Sequence, residues 1–369
     1  MFDDIELLEN EERLARIKII GVGGAGNNAI NRMIEEGIQG VEFIAVNCDA
    51  QDLKNCLAPK KLLIGEKVTR GLGAGGKPEV GELAAQESKE AITKLLSDTD
   101  MLFITAGMGG GTGTGASPVI AECARELKIL TVGVVSKPFK FEGKRCMRMA
   151  LEGLKKLADN VDTIVPIPNE ALMKIVDKRT TMKEAFVIAD NVLCQGVEGI
   201  YNLISVPGFI NLDFADIKSI MRNAGMMLMG IGVAQGNDAA SIASNMAINN
   251  PLLENTIDGA KGIIVNISGG MELSLDEVNG ALSAIQELVD EDANIIIGTA
   301  LDASLGDVIK VTVIATGFEK KDELVISVVE PPKPVPGIVK PWNNESISQT
   351  RAGFVVPPWV TKSKSYKGI

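Results

Sequence analysis

The sequence predicts an α/β protein of two unequal domains, joined by a long helix and followed by a flexible tail. Short β-branched runs alternate with stretches of helical periodicity, as in a mostly parallel sheet covered on both faces. One apolar pattern at helical spacing continues over 181–204. From Glu319 the texture changes, and five prolines (Pro331, Pro332, Pro334, Pro336, Pro341) rule out regular structure there.

The elements follow in order. Residues 16–21 (RIKIIG), 41–46 (VEFIAV), 100–105 (DMLFIT), 129–135 (ILTVGVV) and 161–167 (VDTIVPI) read as strands. Helical patterns lie between them, over 79–96 and 117–127, with right-handed crossovers expected. After the long helix come a strand at 227–233, a helix at 238–248, a strand at 262–268, a helix at 274–289 and strands at 294–300 and 308–315. These form the second, smaller α/β domain.

The bulk numbers narrow the function. The 369 residues suit two domains, and 46% hydrophobic content fills a core in each. Only 4% are aromatic, so the cores must be aliphatic. No apolar run reaches the roughly 20 residues that span a bilayer, and the acidic start MFDDIELLENEERLAR predicts no signal peptide. Five cysteines without a CxxC pair imply a reducing, cytoplasmic setting. The complete lack of histidine excludes Ser-His-Asp and Cys-His nucleophile systems and His-ligated metal sites. A net charge of −11 argues against nucleic acid as a partner.

Gly21-Val22-Gly23-Gly24-Ala25-Gly26 matches G-x-G-x-x-G between a strand and a helix. Glycines there let the backbone approach a pyrophosphate, and the helix start offers free N–H groups. Asp49, after the next strand, stands where a ribose-binding acid would, so an NAD-linked oxidoreductase is one reading and a tight βα turn without ligand another. The second loop, Gly109-Gly110-Gly111-Thr112-Gly113-Thr114-Gly115, adds another run of unhindered N–H groups and two hydroxyls at a helix start. Two cradles on one sheet edge suit a triphosphate better than a dinucleotide. Residues 70–78 (RGLGAGGKP) fail as a Walker A loop, because Pro78 replaces the Ser or Thr that would hold Mg²⁺. That loop is still placed to cover a terminal phosphate.

The GGGTGTG loop resembles the tubulin/FtsZ superfamily. GVGGAGNNAINRM (21–33), VEFIAVNCDAQDL (41–53), RGLGAGGKPEVG (70–81), ITAGMGGGTGTGASP (104–118), KPFKFEG (137–143) and NLDFADIKSIM (211–221) resemble the loops of its bacterial cell-division branch, in the family's order. The resemblance covers about residues 13–318. It implies a Rossmann-like GTPase domain at 13–180, a core helix at 181–204 and a smaller C-terminal domain at 205–318. An N-terminal extension (1–12), a linker (319–353) and a partner-binding peptide (354–369) flank them.

The resemblance further implies GTP or GDP with Mg²⁺ as the ligands, and a cytoplasmic homopolymer stacked head to tail in the mid-cell division ring. By the same resemblance, Gly24, Ala25, Gly26 and Asn28 contact the α- and β-phosphates, and Gly111, Thr112 and Gly113 cradle phosphates from the second loop. Ala74 and Gly75 approach the γ-phosphate, Glu142 holds the ribose, and Asn169 and Asp190 recognise guanine beside Phe186. No protein residue is expected to ligate the metal directly. A carboxylate suits guanine, because it accepts from both the ring N–H and the amino group, a donor pair that adenine lacks.

Two positions depart from the family. Cys146 stands where the family has an arginine, with Arg145 and Arg148 on either side. The tail's Phe354–Val360 and following lysines have the apolar-then-basic chemistry of the family's terminal peptide but another sequence. Through it the resemblance implies division-ring adaptors and regulators as partners. It leaves membrane attachment indirect.

Asp213 and Asp216 lie three apart on one helical face, where acids also favour a helix start. In the family these aspartates enter the neighbour's nucleotide site and orient the attacking water, supported by Asn211. A scaffold that binds nucleotide without turnover is the remaining alternative.

Overall fold

The computed structural model describes residues 15–174, 176–177, 179–205, 214–236, 238–250, 257, 260–286, 289, 293–301 and 305–318. The expected N-terminal extension, linker and terminal peptide, and Asn211 and Asp213, lie outside the described residues.

In chain order the elements run β1 (Ile17–Val22), α1 (Gly23–Glu35), β2 (Val41–Asn47), α2 (Ala50–Asn55), β3 (Lys60–Leu63), α3 (Glu66–Thr69), α4 (Pro78–Glu87), α5 (Lys89–Leu96), β4 (Met101–Gly107) and α6 (Thr112–Glu126). Next come β5 (Leu130–Lys137), α7 (Lys144–Ala158), β6 (Thr163–Pro168), α8 (Asn169–Leu172), α9 (Met182–Ser205), α10 (Phe214–Met221) and β7 (Gly225–Met226). The rest are β8 (Leu228–Gln235), α11 (Ala239–Ile248), β9 (Gly262–Gly269), α12 (Leu275–Gln286), β10 (Asn294–Leu301) and β11 (Val308–Thr316).

The first sheet has seven strands in the order β3-β2-β1-β4-β5-β6-β7, all parallel. Every residue of β1 and β6 is buried, which is why these runs lack alternation: both faces are covered. The second sheet, β10-β9-β11-β8, is mixed, with β11 antiparallel to both neighbours.

Helix α9 belongs to both cores. Its 24 residues span about 36 Å. Ala189, Leu193, Val197, Ile200 and Tyr201 share one hydrophobic cluster with Val134 and Val165 of the first sheet and Ile264 and Ile314 of the second. Fully burying a side chain such as Leu193 stabilises by about 2 kcal/mol. The Tyr201 hydroxyl donates to the Gln39 carbonyl and ties α9 to the α1–β2 turn.

The structure departs from the sequence reading in three ways. The helix expected over 79–96 breaks at Ser88, whose hydroxyl accepts from the Gly65 amide at 3.1 Å. Helix α6 starts at Thr112, five residues before the expected 117, so Pro118 lies inside it. Its first turns carry small residues because α4 and α7 pack tightly there: a Cβ at Gly115 would overlap the Pro78 carbonyl. Strands β3 and β7, of four and two residues, were too short to read from pattern.

Candidate nucleotide site

The strand order reverses between β1 and β4, and the glycine loops that follow these two strands meet there. Open α/β sheets bind ligands at that position. Neither α1 nor α6 has a side-chain cap or an acid in its first turn, so both present free N–H groups and the positive end of the helix dipole. Gly23 takes φ +72°, and a Cβ on it would lie 2.9 Å from the Gly113 amide nitrogen. Both features require glycine.

The third loop closes on the second. A Cβ at Gly111 would stand 2.8 Å from the Ala74 Cβ and 2.9 Å from the Lys77 nitrogen. Ala74 is thus buried as the anchor of the 70–78 loop, while Gly75 and Gly76 project into open space. The loop's base is tied to the β2–α2 segment by Gly73 N to Cys48 O at 3.1 Å and Ala50 N to Gly71 O at 3.0 Å.

The expected phosphate residues are therefore assembled along one edge, in different roles. Gly24 and Asn28 are exposed and Ala25 is half-buried, whereas Gly26 packs against the Thr105 carbonyl, where a side chain would not fit. Gly111, Thr112 and Gly113 are buried at the α6 start. The Thr114 hydroxyl, read as facing a ligand, accepts from the Gly109 amide at 2.8 Å and shapes the loop instead. Asp49 is also engaged: its carboxylate caps α2, accepting from Gln51 N at 2.9 Å and Asp52 N at 3.1 Å. Both bonds go to the same oxygen, Oδ1, so the residue that an NAD reading assigns to ribose serves here as a helix cap.

On the other face of the sheet, α1 and α9 pack together, with polar groups among the apolar ones. Asp190 is half-buried there, and loss of solvation pushes its carboxyl up to about 7, with Arg32 pulling the other way. Asn169 follows β6 and is buried, with its Oδ1 unpartnered. Two groups that sequence reasoning missed share this property: both amide atoms of Asn27 and the Thr105 hydroxyl are also buried without a hydrogen-bond partner. Buried polar atoms without partners are costly in an empty fold and fit a site that a polar ligand completes. An asparagine on the buried stripe of α1 was the available signal.

Three phenylalanines form an aromatic group. Phe186 (39% exposed) meets Phe139 edge-on at 5.5 Å, and Phe139 stacks on Phe141 at 5.0 Å. Glu142 is exposed, and one carboxylate oxygen accepts from the Phe139 amide at 2.8 Å. Cys146, at the position of the expected arginine, packs inward. Its thiol donates to the Gly109 carbonyl at 3.4 Å, wedged under the second glycine loop, and burial, followed by the Glu142 charge, raises its pKa. Arg145 and Arg148 are exposed on the same helix.

Comparison with known proteins decides the family. The Tubulin/FtsZ family GTPase-domain model matches residues 16–177, and the FtsZ family C-terminal-domain model matches 225–319. A solved FtsZ dimer from M. jannaschii is 46% identical, with a TM-score of 0.80, over 83% of this chain and 89% of that one. The chain belongs to the FtsZ family. A mutant FtsZ from the same organism matches equally, at 46% identity and TM-score 0.80, over 83% and 92% of the two chains. CetZ2 from Haloferax volcanii, solved as a protofilament with bound GTPγS, shares the fold at 20% identity and TM-score 0.72, over 83% and 94%.

As an FtsZ-family chain, the protein carries a GTPase domain and is a guanine-nucleotide-binding enzyme. Among the described residues, no helix is long and apolar enough to cross a membrane, and no three His, Cys, Asp or Glu side chains gather as a metal site.

Asp216 is exposed on α10, whose Ile217 and Met221 are fully buried. The last residue of α10 is bonded to Thr163, the first residue of β6, at the opposite end of the strand from Asn169.

Proposed function

We propose that this protein polymerises head to tail into protofilaments that form a bacterial-type division ring, and that each subunit hydrolyses GTP only with help from its neighbour. One relationship carries the reading. The nucleotide loops lie at the C-terminal ends of the strands, and α10 is fastened at the N-terminal end of β6. Six residues of strand separate the two edges by about 20 Å. This supports the reading that Asp216 acts on the nucleotide of a second copy stacked on the glycine loops and not on that of its own chain. The FtsZ dimer and the CetZ2 protofilament among the solved structures support self-association.

In the proposed site, the amides of Gly24, Ala25 and Gly26 and of Gly111, Thr112 and Gly113 hold the phosphates with two helix dipoles behind them. Asn28 adds a side-chain contact. Gly75 lies over the γ-phosphate, with Ala74 anchoring its loop. Asp190 and Asn169 accept from and donate to guanine, Phe186 stacks on it, and Glu142 offers its free oxygen to the ribose. Mg²⁺ fits this donor set as an ion carried mainly by phosphate oxygens and water, as it commonly is in nucleotide sites. When bound, it neutralises the charge that develops on the phosphates.

Asp213 and Asp216 of the adjacent subunit orient the attacking water, and Asn211 supports them. Phosphoryl transfer needs that positioning more than it needs a strong base. The tail peptide at 354–369 is proposed to bind ring adaptors, which leaves membrane attachment indirect.

Light scattering and phosphate release, measured with GTP and with ATP, test this reading. Both signals are expected with GTP and Mg²⁺ and neither with ATP. Equal turnover of ATP, or GTP turnover without any assembly, contradicts it.

A further inference from the structure

We infer that Asp162 and Thr163, at the start of β6, are positioning residues for hydrolysis. They hold α10 in the orientation that presents Asp216 to the next subunit. The inference rests on the shared-site reading above.

Four hydrogen bonds and a short strand pairing define the clasp. The Thr163 hydroxyl donates to the Met221 carbonyl at 2.6 Å, and both residues are fully buried. Met221 ends α10, and its carbonyl is one of the terminal acceptors that a helix leaves without a helical partner. The Asp162 carboxylate accepts from Thr131 N at 2.9 Å on one oxygen and from Asn223 N at 3.4 Å on the other. It thus links β5 to the turn after α10. That turn is sharp: Asn223 takes φ +54°, and Gly225 N returns to the Asp162 carbonyl at 3.0 Å. Parallel pairing of Thr163 with Gly225 and Ile164 with Met226 completes the attachment.

The clasp fixes one end of α10 to the nucleotide-binding sheet, while Ile217 and Met221 fix its buried side. Rotation about the helix axis is then restricted, and with it the direction of Asp216. Near-attack geometry is sensitive to errors of about 1 Å, so loosening this end should cost turnover before it costs stability. The residues involved lie at the opposite edge from the subunit's own nucleotide site. Their loss should leave nucleotide binding alone.

Thr163→Val keeps the volume and removes the donor, and Thr163→Ser keeps the donor. In the full-length protein, Thr163→Val is expected to bind GDP within twofold of the parent and to pellet to the same extent with a slowly hydrolysed GTP analogue. Its turnover per assembled subunit should fall at least fivefold, and Thr163→Ser should restore it to within twofold. Asp162→Asn, which can accept from only one of the two N–H groups, should show the same split if Thr163→Val does not accumulate. Unchanged turnover, or a parallel loss of GDP binding, overturns the inference. Asp216→Ala run alongside separates the two claims. A slow Asp216→Ala with a normal Thr163→Val defeats the clasp alone, whereas a normal Asp216→Ala defeats the shared-site reading beneath it.

Discussion

The Asp190 carboxyl on α9 stands within electrostatic reach of Arg32 on α1, yet the Arg32 guanidinium bonds to Glu35 instead, at 2.9 Å. Asp190 is thereby left half-buried without a close counter-charge, and its pKa rises to about 7. A guanine base that donates two hydrogen bonds stabilises only the ionised form. Nucleotide affinity is therefore expected to fall as pH drops below about 7, approaching tenfold per pH unit once the group is mostly protonated. Titration with a fluorescent GDP between pH 5.5 and 8.5 measures this. Asp190→Asn should flatten the profile and weaken binding at pH 8 by roughly 10- to 100-fold, the worth of hydrogen bonds to a charged group.

The same raised pKa acts on folding with the opposite sense. Folding favours the protonated carboxyl, so Asp190 contributes most below its unfolded value of 3.8. That contribution is lost as pH rises through about 7. Ligand-free Asp190→Asn should then melt higher than the parent at pH 8 and show little difference near pH 4, by scanning calorimetry without nucleotide. A lower melting temperature at pH 8 would mean the carboxylate has a stabilising partner.

Thr114 holds the second glycine loop through the Gly109 amide, and both residues are buried. Thr114→Val leaves that donor unsatisfied and should cost about 1–3 kcal/mol of stability, together with weaker GTP binding. Thr114→Ser should recover both. Denaturant unfolding and nucleotide titration of the two variants provide the check.

In the proposed shared site, Asp216→Ala removes one water-orienting acid and nothing from the proposed phosphate cradle. Assembly with GTP should persist, while hydrolysis slows at least tenfold, with about 3 kcal/mol of added barrier as the ceiling for one preorganised polar group. Phosphate release normalised to pelleted protein reads this directly.

Much of this was legible in the chain. The five β-branched runs each became a strand of the first sheet, because a doubly covered parallel sheet demands continuous apolar segments. The two glycine loops gave the phosphate edge, since few other structures require so many residues without side chains. What pattern missed was set by tertiary contact. Ser88 splits a helix because Gly65 offers it an amide from another loop. Asn27 and Thr105, with unpartnered buried polar atoms, and the Phe139–Phe141 stack have no local periodicity to mark them. Asp49 looked free in sequence but is used as a helix cap. The attachment of α10 depends on Asp162 and Thr163, some 60 residues away in the chain.

The proposed site shared between subunits is tested most directly by phosphate release from GTP with Mg²⁺ as a function of protein concentration. The shared site predicts a rate near zero up to a threshold concentration and a linear rise beyond it, with the threshold matching the onset of light scattering. A rate strictly proportional to protein from the lowest concentration would mean that each chain hydrolyses alone, and would contradict the role assigned to Asp216.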